Sequence, residues 1–181
     1  MPAMKRLLPI LLAAASLAGC ATSPYGPPEP PPPPYEAPPS PSLFRAQDFA
    51  WSTEAGDSAI YGTLAFRVGA LRYTCQGGDV VLTPETPWSR RRMTILYGSS
   101  SSAAVAVAQV RARMPSASNE DYARFVHHAT CDGANHFNFR NLPDGGWFAI
   151  TVAKPVGTPG EPVAVMRRVE THGGPRSLTL N

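Results

Sequence analysis

His127, His128, Cys131 and His136 fall within ten positions, with Cys75 upstream, and form the densest set of metal-capable side chains in the chain. Imidazole nitrogen and thiolate sulfur would suit zinc or copper. Their spacing, however, matches none of the standard zinc patterns. Nucleophilic hydrolysis has weaker support. Gly98-Ser99-Ser100-Ser101-Ser102 lacks the second glycine that a nucleophile elbow requires, and no Ser-x-x-Lys occurs. The carboxylates of Asp57, Asp79, Glu85, Glu120, Asp121, Asp132 and Asp144 are scattered, and their spacing defines no acid–base pair. The chain is therefore expected to be no enzyme, to hold no metal and to need no cofactor.

Binding chemistry is easier to place. Trp88-Ser89-Arg90-Arg91 sets an aromatic ring beside two guanidiniums, so Trp88, Arg90 and Arg91 are the candidate contacts for a small ligand or glycan. The run Arg90-Arg91-Arg92 reads either as a solvated turn or as a contact for anionic head groups or peptidoglycan carboxylates. Trp51, Trp88 and Trp147 are aromatic candidates for a partner surface or for the core. The formal charge of +3 comes from 16 basic and 13 acidic residues among 181. Two of those positives, Lys5 and Arg6, stand at the extreme N-terminus, and without them the balance is close to neutral. Nothing here argues for nucleic acid.

These residues need elements to position them. Residues 43–181, about 139 of them, suffice for one domain with its own core. From Phe44 onward short β-like runs alternate with Gly, Pro, Asn and Ser. Ser58 to Phe66 places Ile60, Gly62, Leu64 and Phe66 on one face, with Ala59, Tyr61 and Ala65 on the other. Gly69–Cys75, Asp79–Leu82, Thr94–Tyr97, Ala104–Val110, His136–Phe139, Trp147–Ala153, Val163–Val169 and Ser177–Leu180 extend the list of predicted strands. Such a pattern predicts an all-β fold, a single antiparallel β-sandwich. Residues 119–130 are ambiguous between helix and strand. Ser118-Asn119-Glu120-Asp121 resembles a capping box, which favours a helical turn near 119–122 before a strand. Asp132-Gly133 then reads as a hairpin turn.

The N-terminus carries an address. Lys5 and Arg6 precede an apolar run, Leu7 to Ala18, which is too short to span a bilayer as a mature helix. Leu17-Ala18-Gly19-Cys20 resembles the lipobox of bacterial lipoproteins. That resemblance implies removal of residues 1–19 and acylation of Cys20, and so a membrane attachment through lipid. Because Ala21 is not Asp, it further implies the outer membrane, facing the periplasm. Of three cysteines, Cys20 would then be consumed by lipid, leaving Cys75 and Cys131 as one disulfide in an oxidising compartment. Such a bond would remove both thiolates from any metal site. Residues 20–42 complete the anchor. Residues 21–42 hold eleven of the 21 prolines, which predicts a polyproline II spacer reaching at most about 70 Å.

Two further stretches carry a second resemblance. Cys75-Gln-Gly-Gly-Asp-Val-Val-Leu-Thr-Pro and Asp132-Gly-Ala-Asn-His-Phe-Asn-Phe-Arg-Asn-Leu-Pro-Asp-Gly-Gly-Trp-Phe148 are similar to motifs of bacterial carboxypeptidase-regulatory-like domains. Asn135 stands where the family has Gly, and Trp147 where it has Tyr. The resemblance implies a transthyretin-like sandwich of about seven strands and a non-catalytic module. Phe137 and Phe139 should point into the core, and Trp147 should pack near the disulfide. The stretch between Ser89 and Tyr122 is long for the family and leaves the middle strands open. The expected role is structural or interactive at the envelope, with an envelope protein or peptidoglycan as partner. The alternative is a lipoprotein that binds a small ligand or glycan.

Overall fold

The structure, a computed structural model, describes residues 43–114, 120–157 and 159–181. Cys20, the leader 1–19, the proline-rich stretch 20–42 and the Ser118-Asn119 pair lie outside the described residues. In chain order, a 3-10 helix (Ala46–Thr53) is followed by β1 (Ser58–Leu64), β2 (Arg67–Val68), β3 (Leu71–Thr74) and β4 (Asp79–Pro84). Then come α1 (Pro87–Tyr97), β5 (Ser102–Ala106), α2 (Val107–Ala112), α3 (Glu120–Ala123) and β6 (His127–Thr130). The chain ends with β7 (His136–Leu142), β8 (Gly145–Pro155), β9 (Val163–Thr171) and β10 (Pro175–Leu180).

The described strands form two sheets, one of three strands in the order β10-β1-β7 and one of seven. In the larger sheet β8 pairs with β9 along one edge, and with β4 and then β3 along the other. β5 extends it beyond β9, β6 beyond β4, and β2 beyond β3. The expectation of a single sandwich of about seven antiparallel strands is thus corrected to ten strands, and β1 runs parallel to β10. The stretch between Ser89 and Tyr122 accounts for part of the excess, because it supplies β5 as well as two helices.

Strand alternation builds the core between the sheets. Ile60 and Leu64 of β1, Phe137 and Phe139 of β7, and Leu178 and Leu180 of β10 meet Val80, Leu82, Trp147, Ala149 and Val165 of the larger sheet. Burying side chains of this size contributes about 1.5–3 kcal/mol each. Gly62 is needed where it stands, since a Cβ there would collide with the Phe137 ring across the strand pair. The far face of the larger sheet is also covered. Phe148, Ala164 and Met166 pack against Met93, Leu96 and Tyr97 of α1. β8 is therefore covered on both faces from Trp147 to Thr151, which suits its apolar run there, while Val152 beyond is exposed.

Residues 94–97 were expected as a strand and instead close α1. The local reason is strong capping. Thr86 Oγ1 accepts from the Ser89 N–H at 3.1 Å and Ser89 Oγ accepts from the Thr86 N–H at 2.8 Å. Pro87 occupies the first turn, where its missing N–H costs nothing, and Gly98 ends the helix at φ 76°. Met93, Leu96 and Tyr97 then share the face turned to the sheet, overriding the β preference of Thr94 and Ile95.

The turn after β6 departs from expectation too. Asp132-Gly133 does not join a hairpin, because β6 pairs with β4 and β7 pairs with β1. The loop carries the chain from one sheet to the other. Asp132 Oδ1 accepts from the N–H groups of Ala134 and His136, at 2.9 and 2.8 Å. Asn135 adopts φ 66°, a left-handed conformation that asparagine tolerates well. Its Oδ1 accepts from Thr74 Oγ1 and the Cys75 N–H, at 2.6 and 3.1 Å, tying the loop to β3. Beside it Cys75 and Cys131 are joined in a disulfide, both nearly inaccessible. Trp147 is not near that bond. The β4–β8 register sets Val80 opposite Thr151 and Pro84 opposite Trp147, so the indole lies at the other end of β4 from Cys75.

Candidate functional site

The alternation that turns Ile60, Gly62 and Leu64 inward turns Ala59, Tyr61 and Thr63 outward on β1. The same logic on β7 sends Phe137 and Phe139 in and His136, Asn138 and Arg140 out. On β10, Leu178 and Leu180 face in, and Ser177 and Thr179 face out. Register then aligns these outward residues into rows across the three-stranded sheet. Asn138, Tyr61 and Ser177 form one row, and His136, Thr63 and Thr179 the next. The result is an open, mostly polar face with the phenol ring of Tyr61 on its central strand.

Tyr61 is 45% exposed, an unusual placement for a large aromatic side chain in the middle of a sheet. The Arg140 guanidinium carbon stands 5.8 Å from the centroid of its ring. A shallow depression of about 450 Å³ is lined by Tyr61, Thr63, Asn138, Ser177, Thr179 and, at one end, Asp132 with His136. Hydrogen bonds from the backbone, that of His136 first, hold the Asp132 carboxyl below the usual carboxylate range. His136 Nδ1 lies 3.7 Å from Asp132 Oδ2. Chemically the face offers hydroxyl and amide donors and acceptors around a flat apolar plane, with a cation at one end and a carboxylate at the other.

The residues expected to contact a ligand are divided by α1. Trp88 is half-buried and packs against Phe44, Phe49 and Tyr122, with ring centroids 5.3, 5.9 and 4.9 Å away. Arg92 covers the same ring at 5.4 Å. Tyr122, bonded to the Thr83 hydroxyl, has its phenol pKa raised by burial. This aromatic cluster fastens the segment from Phe44 to the 3-10 helix onto the domain. Arg90 and Arg91 instead line a second depression, of about 480 Å³, with Glu85, Thr94 and Ser100. Glu85, whose side chain is only 6% exposed, pairs with Arg90 at 2.9 Å and with Arg168 at 2.7 Å. Arg91 is the member of the triple without an ion pair or ring contact among the described residues. Ser89 is fully buried in the cap of α1.

The histidines are separated by the same strand geometry. His127 turns inward, its ring 5.3 Å from Trp147 and its Nε2 3.3 Å from the Ser52 carbonyl. Burial lowers its pKa. His128, next along β6, points away and meets Asp79 at 2.8 Å. His136 belongs to the other sheet. With Cys75 and Cys131 bonded to each other, no group of three or more metal-ligating side chains forms among the described residues. No described helix is long and apolar enough to cross a membrane.

Trp51 and Trp147 are not surface residues either. They pack edge to face at 5.0 Å, with Trp51 half-buried and Trp147 fully buried. Sequence reasoning passed over Tyr61 as a ligand contact. The available signal was its place on the outward face of β1, but only the partner strands show what surrounds it.

No protein-family model matches the chain, and no curated protein does. Among solved structures, the chain resembles a candidate carbohydrate-binding protein of Pseudomonas aeruginosa at a TM-score of 0.55 and 20% sequence identity. The alignment covers 76% of this chain and 96% of that one. The likeness is one of fold: a β-rich domain of sandwich type.

Proposed function

We propose that this chain is a non-catalytic saccharide-binding module of the cell envelope, held at a membrane by an acylated Cys20 and a proline-rich spacer. Its ligand surface is the outer face of β10-β1-β7. The observation that carries this reading is the exposed Tyr61 framed by Asn138 and Ser177 in one cross-strand row. A sugar ring presents a C–H face that packs on an aromatic plane and a rim of hydroxyls that exchange hydrogen bonds with short polar side chains. Tyrosine supplies that plane with little side-chain entropy to lose. The fold likeness to a candidate carbohydrate-binding protein favours the same reading.

Peptidoglycan is the glycan an outer-membrane lipoprotein facing the periplasm would meet. Soluble peptidoglycan fragments titrated calorimetrically into the protein are expected to bind. Tyr61→Ala should weaken that binding at least tenfold, about 1.4 kcal/mol, whereas Arg91→Ala should leave it unchanged. The opposite pattern would move the site to the depression beside α1, where Arg90 and Arg91 offer a second, cationic surface. The tether is tested separately. Labelled palmitate should be incorporated into the wild-type chain in cells, and Cys20→Ala should abolish both the label and membrane fractionation.

A further inference from the structure

The binding face is electrically lopsided, and the imbalance bears on which sugar it takes. Arg140 stands over Tyr61 at one end and makes no ion pair among the described residues. Among the described arginines, Arg45 pairs with Asp48, Arg90 with Glu85, and Arg168 with Glu85 and Glu170. Arg140 stands beside Tyr61 at the rim of the depression, and the carboxylate that lines it is Asp132, beside His136 at the other end. His136 and Arg140 are four residues apart on one strand, roughly 13 Å at the usual rise per residue. Across that distance, on an exposed surface, Asp132 does little to neutralise the guanidinium.

Resting on the saccharide reading above, we infer that the Tyr61–Arg140 corner is a subsite for a sugar residue bearing a carboxylate. A sugar packed against Tyr61 beside the guanidinium brings a carboxylate substituent within reach of the Arg140 N–H groups, which can donate two parallel hydrogen bonds to its oxygens. The acidic residue of a bound chain is thereby oriented toward Arg140, and a neutral neighbour lies along Asn138, Thr63 and Thr179. N-acetylmuramic acid and N-acetylglucosamine make a matched pair of probes, because they differ only by a lactyl ether that carries the carboxylate.

The test titrates the methyl glycosides of both sugars into the full-length protein at low and high salt. The expected result is a preference for the muramic glycoside of about three- to tenfold at low salt, shrinking as salt screens the pair. Arg140→Gln should erase the preference, and Arg140→Lys should restore part of it. Tyr61→Ala should weaken both sugars alike. Equal binding of the two sugars by the wild-type protein, with both lost in Tyr61→Ala, would overturn the carboxylate subsite and leave the saccharide face standing. A preference that survives Arg140→Gln would overturn it as well. Failure of both sugars to bind would overturn the face and the subsite together.

Discussion

Trp147→Ala is expected to destabilise the domain by about 3–5 kcal/mol, the usual cost of emptying a buried aromatic site. The indole is fully buried and packs against Trp51 and His127 at 5.0 and 5.3 Å. Those neighbours come from the 3-10 segment and from β6, so the cavity would loosen three parts of the fold at once. A polar loss adds to the packing loss. The Thr171 hydroxyl accepts from Trp147 Nε1 at 3.2 Å and from the Gly145 N–H at 3.1 Å, and donates to the Pro143 carbonyl at 2.9 Å. Removing the indole leaves one side of that buried hydroxyl unfilled. Urea unfolding should show the midpoint falling with little change in slope. Trp147→Phe, which keeps a ring but loses the N–H, should lie between the two.

Breaking the Cys75–Cys131 bond is expected to have an effect of similar size. The bond spans 56 residues. In the chain-entropy account a loop of that length stabilises by about 4 kcal/mol. The bond sits where three pieces converge: the end of β3, the end of β6 and the turn into β7. The Asn135 side chain fastens the same corner by accepting from Thr74 and Cys75, which retains part of the geometry when the sulfurs part. Denaturant titration should therefore find the wild-type protein weakened by reductant to the level of Cys131→Ser. That variant should itself be indifferent to reductant. Identical curves for oxidised, reduced and Cys131→Ser protein would contradict the role assigned to the bond.

Legibility in the sequence followed the range of the interactions. Period-two alternation needs only neighbours, so the inward face of β1 could be read from Ile60 and Leu64 alone, while that of β7 came with the motif that holds Phe137 and Phe139. The cysteine pair was legible for a different reason: with Cys20 set aside, only one pairing was left. The helical turn before β6 was also within reach, and α3 occupies Glu120–Ala123. What failed depended on distant partners or on competition. The strand expected at Thr94–Tyr97 lost to a cap at Thr86 and Ser89 and to an apolar face spaced for a helix. The parallel pairing of β1 with β10 joins residues more than a hundred positions apart, beyond any local pattern.

The site shows the same division. Trp88, Arg90 and Arg91 are consecutive enough to suggest one surface, but a helix advances about 100° per residue and sends them to different environments. Tyr61 had no neighbour in sequence to mark it. Asn138 and Ser177 lie 77 and 116 positions downstream, and only sheet register sets them beside it.

The most direct measurement is a map of amide chemical-shift changes as peptidoglycan fragments are titrated into isotope-labelled protein. Shifts should concentrate at Tyr61, Thr63, Asn138, Arg140, Ser177 and Thr179, with α1 silent. Shifts centred on Arg91 and Thr94, or none anywhere at millimolar sugar, would contradict the saccharide face.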